Sequence, residues 1–325
     1  MNFGYDVIRR IVPDWYADRY RASQRAALQS IAPYDVVSKI GIHCIGPRRT
    51  GYGDFLKTIK AAGRKVCVVK CRDDFGAAHE AKQYWPDVLT VGAFTQFDGL
   101  NFDYAKFVSL AKRNPWIDYW EVLNEINGQW VDQANLYISL MPRFRADGLR
   151  LAMFSCASGT PPLPSEDGGA AYSEIARACK EATFHRYDAI LCLHEYVSVG
   201  TIGRYQALRD YLVARGAMLP LVVSEWGYET HPGDTQLLDT VRRYDTLYMS
   251  DEWVEGCATW TLGGGGWGAS NYERALTQLA QHIATVAPVT PPPVDETFTA
   301  SVTMPTKYRA ELTAYVTERG GTVSE

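Results

Sequence analysis

Apolar and polar positions follow a repeating order along this chain, which predicts eight strands separated by amphipathic helices. The strand candidates are VVSKIGIHCIG, KVCVVKC, VLTVGAF, IDYWEVLNE, LRLAMFSCAS, AILCLHEY, LPLVVSEWG and GCATWTLGG. The intervening segments have helical spacing, as in NFDYAKFVSLAKR, IGRYQALRDYLVAR and YERALTQLAQHIATV. One more helix is predicted over residues 15–31, before the first strand.

Strands that alternate with helices favour parallel pairing through right-handed crossovers. The strand candidates are almost continuously apolar, as expected for strands buried on both faces. Eight such units in 325 residues predict a closed (β/α)8 barrel, the TIM barrel fold. The alternative is an open doubly wound sheet, which usually has a GxGxxG loop after the first strand; GIHCIGPRRTGYG lacks that pattern.

The domain organisation is predicted from a change in composition near residue 287. Residues 1–287 form the predicted barrel with a short N-terminal helical extension. The segment APVTPPPVDETFT is typical of an extended Pro-rich linker, and residues 288–325 are too few for an independent core. This tail is expected to pack on the barrel or to contact another chain or domain.

Composition limits which binding partners and which cellular location are expected for this protein. The net charge of 33 − 37 = −4 gives no indication of a nucleic-acid surface. No run reaches the roughly 18 apolar residues of a membrane span, and the charged N-terminus lacks the apolar core of a signal peptide. A cytoplasmic location is therefore favoured, with the seven cysteines reduced. Neither a metal site nor a cofactor is predicted from the spacing of ligand-type residues.

Reactive side chains should lie at the carboxyl ends of the barrel strands, where TIM barrels hold their active sites. The fourth strand ends in Asn124-Glu125 and the seventh in Ser224-Glu225-Trp226. Two carboxylates that face each other across a barrel mouth suit glycoside hydrolysis, in which one donates a proton and the other attacks the anomeric carbon. For either glutamate considered alone, a surface ion pair is the simpler interpretation.

The motifs WEVLNE and VVSEWG resemble the strand-4 and strand-7 signatures of clan A glycoside hydrolases, which are retaining (β/α)8 enzymes. WEVLNE is similar to families 39 and 51, and HEY followed by SEWG is similar to family 5. The resemblance covers residues 35–287 and implies that Glu125 is the acid/base and Glu225 the nucleophile. It further implies a cis peptide bond between Trp260 and Thr261.

The same resemblance implies roles for other strand-end residues. Asn124 would bind the sugar 2-hydroxyl, Tyr196 would contact the nucleophile, and Trp260 would form the floor under the cleaved sugar. His194 matches the strand-6 histidine, and Arg72, within KCRDD, is similar to the strand-2 arginine that keeps the nucleophile ionised.

Five further residues are candidates because of their positions in the predicted barrel. Glu121 should point into the barrel beneath the site, as support for it or as an ordinary buried ion pair with Lys70, Arg72 or His43. His43 is either a satisfied strand-end histidine or a substrate contact. Trp130 and Trp267 lie in loops beside the predicted cleft, and either pack on helices or stack on sugars. Trp226, next to Glu225, joins the predicted substrate contacts.

The sequence thus favours a retaining β-glycoside hydrolase acting on a carbohydrate without a cofactor. Two alternatives stay open at this level. One is a weakly active or inactive carbohydrate-binding barrel within a larger assembly. The other is a metal- or phosphate-dependent barrel enzyme such as an aldolase, for which Lys70 is the single candidate Schiff-base lysine.

Overall fold

The computed structural model describes residues 37–47, 50–97, 99–197, 203–263 and 271–288. Within these ranges eight parallel strands close into a barrel in the order β1-β2-β3-β4-β5-β6-β7-β8, with β8 pairing to β1. The predicted TIM barrel is confirmed, and the open sheet is excluded. The predicted helix at 15–31, Trp267 and residues 289–325 lie outside the described residues.

The strands are short and agree with the predicted apolar runs. They are β1 Ile40–Ile45, β2 Val68–Arg72, β3 Leu89–Ala93, β4 Tyr119–Glu121, β5 Leu151–Cys156, β6 Ala189–Tyr196, β7 Leu221–Gly227 and β8 Val254–Gly263.

Helices follow every strand, as right-handed crossovers require. They are α1 Tyr52–Ala61, α2 Gly76–Tyr84, α3 Tyr104–Ala111, α4 Trp130–Ala146, α5 Pro164–Asp167, α6 Ala170–Phe184, α7 Arg204–Val213, α8 Asp234–Met249 and α9 Leu276–Thr285. No helix of the described ranges is both long and apolar enough to cross a membrane.

Most of the buried apolar residues that the structure describes belong to two hydrophobic clusters. The larger lies between the strands and the surrounding helices, and includes the stacked rings of Phe94 and Trp120, 5.1 Å apart. Gly92 makes room for that packing, since a Cβ atom there would lie 2.7 Å from the Trp120 ring. The smaller cluster fills the barrel interior with residues such as Val68, Val91 and Val222. This apolar interior supports the polar layer above it.

The amino-terminal end of the barrel is closed by a polar clamp around the buried carboxylate of Asp245 in α8. Ser38 Oγ donates to it at 2.8 Å and the Lys39 backbone N–H at 2.7 Å. His282 Nε2, from α9, lies 2.7 Å from the same carboxylate. The clamp joins the entry of β1 to two helices on the face opposite the active-site end of a TIM barrel.

Candidate active site

The two glutamates singled out from the sequence converge at the carboxyl end of the barrel. One carboxylate oxygen of Glu125, one of Glu225 and a ring nitrogen of His194 all lie within 4.8 Å of one another. The two carboxylates differ in environment, since the side chain of Glu125 is 38% exposed and that of Glu225 only 4%. A partly open carboxylate therefore faces a buried one.

Glu225 reaches the barrel interior because the pairing of β6 with β7 shifts register. Leu193 pairs with Val223, but the next residue, His194, pairs with Glu225. Strict alternation from the inward-facing Val222 would turn Glu225 outward. The extra residue in β7, a bulge, turns it inward instead.

Glu125 is placed by a turn rather than by the strand itself. The β4 ladder ends at Glu121, four residues before Glu125, so the predicted strand was too long at this end. Glu125 has a φ of 52°, in the left-handed region that non-glycine residues seldom adopt. Its N–H donates to the Ser155 carbonyl at 3.0 Å, and Gln133 Nε2 donates to the carbonyls of Ile126 and Gly128 in the following loop. These bonds fix the carboxylate at the mouth.

Glu225 accepts hydrogen bonds on both carboxylate oxygens. Lys70 Nζ donates to Oε1 at 3.0 Å, and Tyr196 Oη donates to Oε2 at 2.6 Å. His194 Nδ1 lies 3.6 Å from Oε2. Burial opposes the charge of Glu225, but His194, Lys70 and the Tyr196 hydroxyl together hold its pKa well below the usual range. Glu225 is thus an ionised carboxylate at neutral pH.

His194 lies between the two glutamates. Its Nδ1 is 2.8 Å from Oε1 of Glu125, closer than to Glu225. The side chain of His194 is fully buried, so the imidazole holds the Glu125 carboxylate from the interior side.

Lys70 of β2 is the cation that the structure places against Glu225. The resemblance predicts Arg72, two residues later, at that position. Arg72 Nη1 donates to Asn124 Oδ1 at 2.9 Å, and its Nε donates to Thr95 Oγ1 at 2.9 Å. Thr95 in turn donates to Asp73 Oδ2 at 2.6 Å. Arg72 therefore orients the Asn124 amide next to Glu125.

Glu121 lies inside the barrel beneath the site, as predicted. Of its three predicted partners the structure selects Lys70, whose Nζ is 2.6 Å from Glu121 Oε2. Both side chains are almost fully buried. The contact of Lys70 with Glu225 was not predicted, although the shared parity of Lys70 and Arg72 along β2 would have indicated it.

Aromatic and imidazole rings form the wall beside Glu225. His43 lies with its Nδ1 3.7 Å from Glu225 Oε1 and packs edge-on against Trp260, with ring centroids 4.8 Å apart. Tyr196 also packs edge-on against Trp260, at 6.1 Å. Burial lowers the pKa of His43 well below its ordinary value, so this imidazole is neutral. The Trp260–Thr261 peptide bond is cis, as the resemblance implied.

One sequence candidate, Trp226, lies away from the glutamate pair. Trp226 is fully buried between β7 and α8, 5.9 Å from the Tyr244 ring, so the prediction that it contacts substrate is wrong. It faces the helices because its neighbour Glu225 faces the interior. Trp130 begins α4 and is partly buried against the core, and its role in sugar stacking stays a prediction. Glu195 points outward and accepts from the N–H groups of Gly203 and Tyr205 at the start of α7.

Carboxylates and an imidazole are also metal ligands, and the group of Glu125, His194 and Glu225 has a suitable spacing. Sequence spacing did not indicate it, because the three come from different strands. The ammonium of Lys70, 3.0 Å from Glu225, already supplies positive charge there and would repel a cation. The arrangement therefore fits proton transfer and nucleophilic attack better than metal binding.

Comparison with known proteins agrees with the fold. No family model and no curated protein matches this chain. Among solved structures, a glycoside hydrolase family 30 subfamily 8 xylanase from Clostridium acetobutylicum is 12% identical, with a TM-score of 0.50, over 79% of this chain and 73% of the xylanase. At the level of fold this similarity agrees with the closed (β/α)8 barrel of this chain.

Two family 128 structures are also similar. An endo-β-1,3-glucanase from Sorangium cellulosum is 14% identical, with a TM-score of 0.49, over 78% of this chain and 100% of its own. A curdlan-specific exo-β-1,3-glucanase from Blastomyces gilchristii is 14% identical, with a TM-score of 0.47, over 76% and 98%.

Proposed function

We propose that this protein is a retaining β-glycoside hydrolase. The observation that carries the proposal is the carboxylate pair at the ends of β4 and β7, whose nearest oxygens lie within 4.8 Å. Retaining glycosidases hold their two carboxyl groups about 5–5.5 Å apart, whereas inverting enzymes need roughly 6.5–9.5 Å to admit a water molecule. A separation this short favours double displacement.

Glu225 is proposed as the nucleophile because it is buried, ionised and held by two donors. Its carboxylate attacks the anomeric carbon, the bond from that carbon to the leaving oxygen breaks, and a glycosyl ester forms. Both hydrogen-bonded oxygens are fixed in position before substrate binds, which reduces the reorganisation that attack requires.

Glu125 is proposed as the acid/base because it is the partly exposed member of the pair and contacts His194. It gives a proton to the leaving oxygen in the first step and removes one from water in the second. Asn124, oriented by Arg72 through its Oδ1, has its amide N–H groups to donate to a sugar hydroxyl beside Glu125.

The geometry of Lys70 argues against the aldolase-like alternative. A Schiff-base lysine attacks as a neutral amine. Burial alone would lower the pKa of Lys70, but the carboxylates of Glu121 and Glu225 raise it above its ordinary value. An ammonium with two anionic partners is a poor nucleophile, so the role proposed for Lys70 is to stabilise the negative charge of the two carboxylates.

The test is hydrolysis of a panel of aryl β-glycosides and of xylan, mannan and β-1,3-glucan, with product anomers followed by proton NMR. We expect turnover of at least one β-glycoside, with the β-anomer formed first. Initial release of the α-anomer would exclude retention. Inactivity on the whole panel, with retained affinity for one of the glycans, would instead support the carbohydrate-binding barrel.

A further inference from the structure

A buried lysine is shared between two carboxylates at the centre of the barrel. Lys70 Nζ lies 2.6 Å from Glu121 Oε2 and 3.0 Å from Glu225 Oε1. All three side chains are at most 4% exposed. Burying a second carboxylate costs free energy, since each buried ion loses its hydration. Glu225 alone would already neutralise Lys70, so the presence of Glu121 calls for a reason.

The charges around this group come from five strands or their ends. Arg72 neighbours Lys70 on β2, and His43 faces Glu225 from β1. Within the described ranges, the titratable groups that face Lys70 or its two carboxylates are His43, Arg72, Glu121, Glu125, Tyr137, Cys192, His194, Tyr196 and Glu225. Among them, Glu121 is the carboxylate that takes no part in the proposed bond changes.

We propose that Glu121 is a positioning residue that keeps Lys70 protonated while Glu225 is esterified. The proposal rests on the proposed function. In the first step Glu225 donates an electron pair to the anomeric carbon and loses its negative charge, while the leaving oxygen takes the electrons of the broken bond and a proton from Glu125. Lys70 then has one anionic partner left, Glu121.

The second step makes this partner necessary. Water attacks the anomeric carbon, Glu125 takes the proton of that water, and the electron pair of the ester bond returns to Glu225 as a carboxylate charge. The returning charge is stabilised only if Lys70 is still an ammonium. A buried lysine without an anion readily loses its proton. With Glu121 at 2.6 Å, Lys70 stays charged in both states of Glu225.

The kinetic test is Glu121→Gln, measured with an aryl glycoside whose good leaving group makes the second step rate-limiting. We expect kcat to fall at least about tenfold and KM to fall with it, because the glycosyl ester accumulates, while kcat/KM changes much less. Glu121→Asp retains the anion and should recover most of kcat. A purely structural defect would not lower kcat and KM in parallel, nor be rescued by Asp.

The matched control is Asp87→Asn, which removes the carboxylate from another largely buried lysine pair, Lys65 with Asp87. That pair precedes β2 and β3, at the opposite end of the barrel. We expect Asp87→Asn to change stability but to leave both kcat and KM unaltered. If Glu121→Gln and Asp87→Asn lowered kcat equally, Glu121 would have a structural role only.

A readout that needs no turnover tests the charge itself. In Glu225→Gln the nucleophile is neutral, as in the ester, and the protonation of Lys70 is followed by nitrogen-15 NMR of the Nζ atom against pH. We expect Lys70 to stay charged in Glu225→Gln and to lose its proton at lower pH in Glu225→Gln with Glu121→Gln. Coincident titrations would overturn the proposal, even for an active enzyme.

These outcomes separate the two proposals. An inactive wild-type chain would defeat the proposed hydrolase, whatever the NMR titrations show. An active wild type, with Glu121→Gln showing the full wild-type kcat, would defeat the role of Glu121 and leave the hydrolase in place.

Discussion

The hydroxyl of Tyr196 donates a 2.6 Å hydrogen bond to Oε2 of Glu225 within a buried site. Burial raises the pKa of Tyr196 well above its ordinary value, and the Glu225 carboxylate raises it further, so the hydroxyl keeps its proton. Tyr196 is therefore a fixed donor to the ionised form of Glu225.

Tyr196→Phe should remove this donor and leave the ring in place. A hydrogen bond to a charged group contributes about 1.5–3 kcal/mol, so we expect kcat/KM to fall about 10- to 100-fold. Tyr248→Phe is the control, because Tyr248 donates to the outward-facing carboxylate of Glu195 at 2.9 Å. Loss of the hydrogen bond from Tyr248 to Glu195 should lower the free energy of unfolding and leave kcat/KM unchanged. Equal kinetics for Tyr196→Phe and wild type would contradict this role.

The two glutamates should separate in azide rescue. Glu225→Ala should abolish turnover, and azide should then attack from the vacated side and give a sugar azide of inverted configuration. Glu125→Ala should keep the first step for an activated aryl leaving group, which needs little proton donation. In Glu125→Ala, azide should replace water in the second step and give a sugar azide of retained configuration. Proton NMR of the two azides is the measurement, and the opposite stereochemistry would exchange the roles.

His43 should make stability depend on pH. Its folded-state pKa lies below the unfolded value of about 6.5, so the unfolded chain binds the extra proton as the pH falls. The free energy of unfolding should therefore be highest above that value and should decrease below it, by up to about 1.4 kcal/mol per pH unit. His43→Phe should have a shallower slope between pH 7.5 and 5.5 in urea unfolding. Parallel slopes would show that the pKa of His43 does not change on folding.

The Asp245 clamp should govern stability without affecting catalysis. Asp245→Ala leaves three donors without their buried acceptor, and we expect a loss of about 2–5 kcal/mol in the free energy of unfolding. The clamp lies at the end opposite the glutamates, so kcat/KM at a permissive temperature should be retained. Asp239→Ala, an exposed carboxylate on the same helix, should change stability little. A large kinetic defect in Asp245→Ala would show coupling between the two ends.

The strands and the residue types of the site follow from the sequence alone. Continuous apolar runs such as AILCLHEY are removed from water only when other layers pack on both of their faces. Eight such runs with helices between them therefore predict the barrel. Because parallel strands bring their carboxyl ends to one face, the sequence also predicts that Asn124, Glu125, His194, Tyr196 and Glu225 gather there.

The directions of the two glutamates were decided by tertiary structure. Alternation from Val222 would turn Glu225 toward the helices, and the shifted pairing between β6 and β7 turns it inward. The same shift turns Trp226 outward, which is why its predicted substrate contact was wrong. Glu125 depends on a left-handed backbone and on a bond to the Ser155 carbonyl from β5.

Tertiary structure also determined which cation lies beside Glu225. The sequence contains Lys70, Arg72 and His43 as cationic or titratable residues near one end of the first two strands. Which of them reaches Glu225 or Glu121 depends on depth and distance across the barrel, quantities that no local pattern records. The sequence determines which chemical groups are available at the barrel mouth, and tertiary structure determines which pairs meet, because contact depends on bulges, register and depth contributed by other strands.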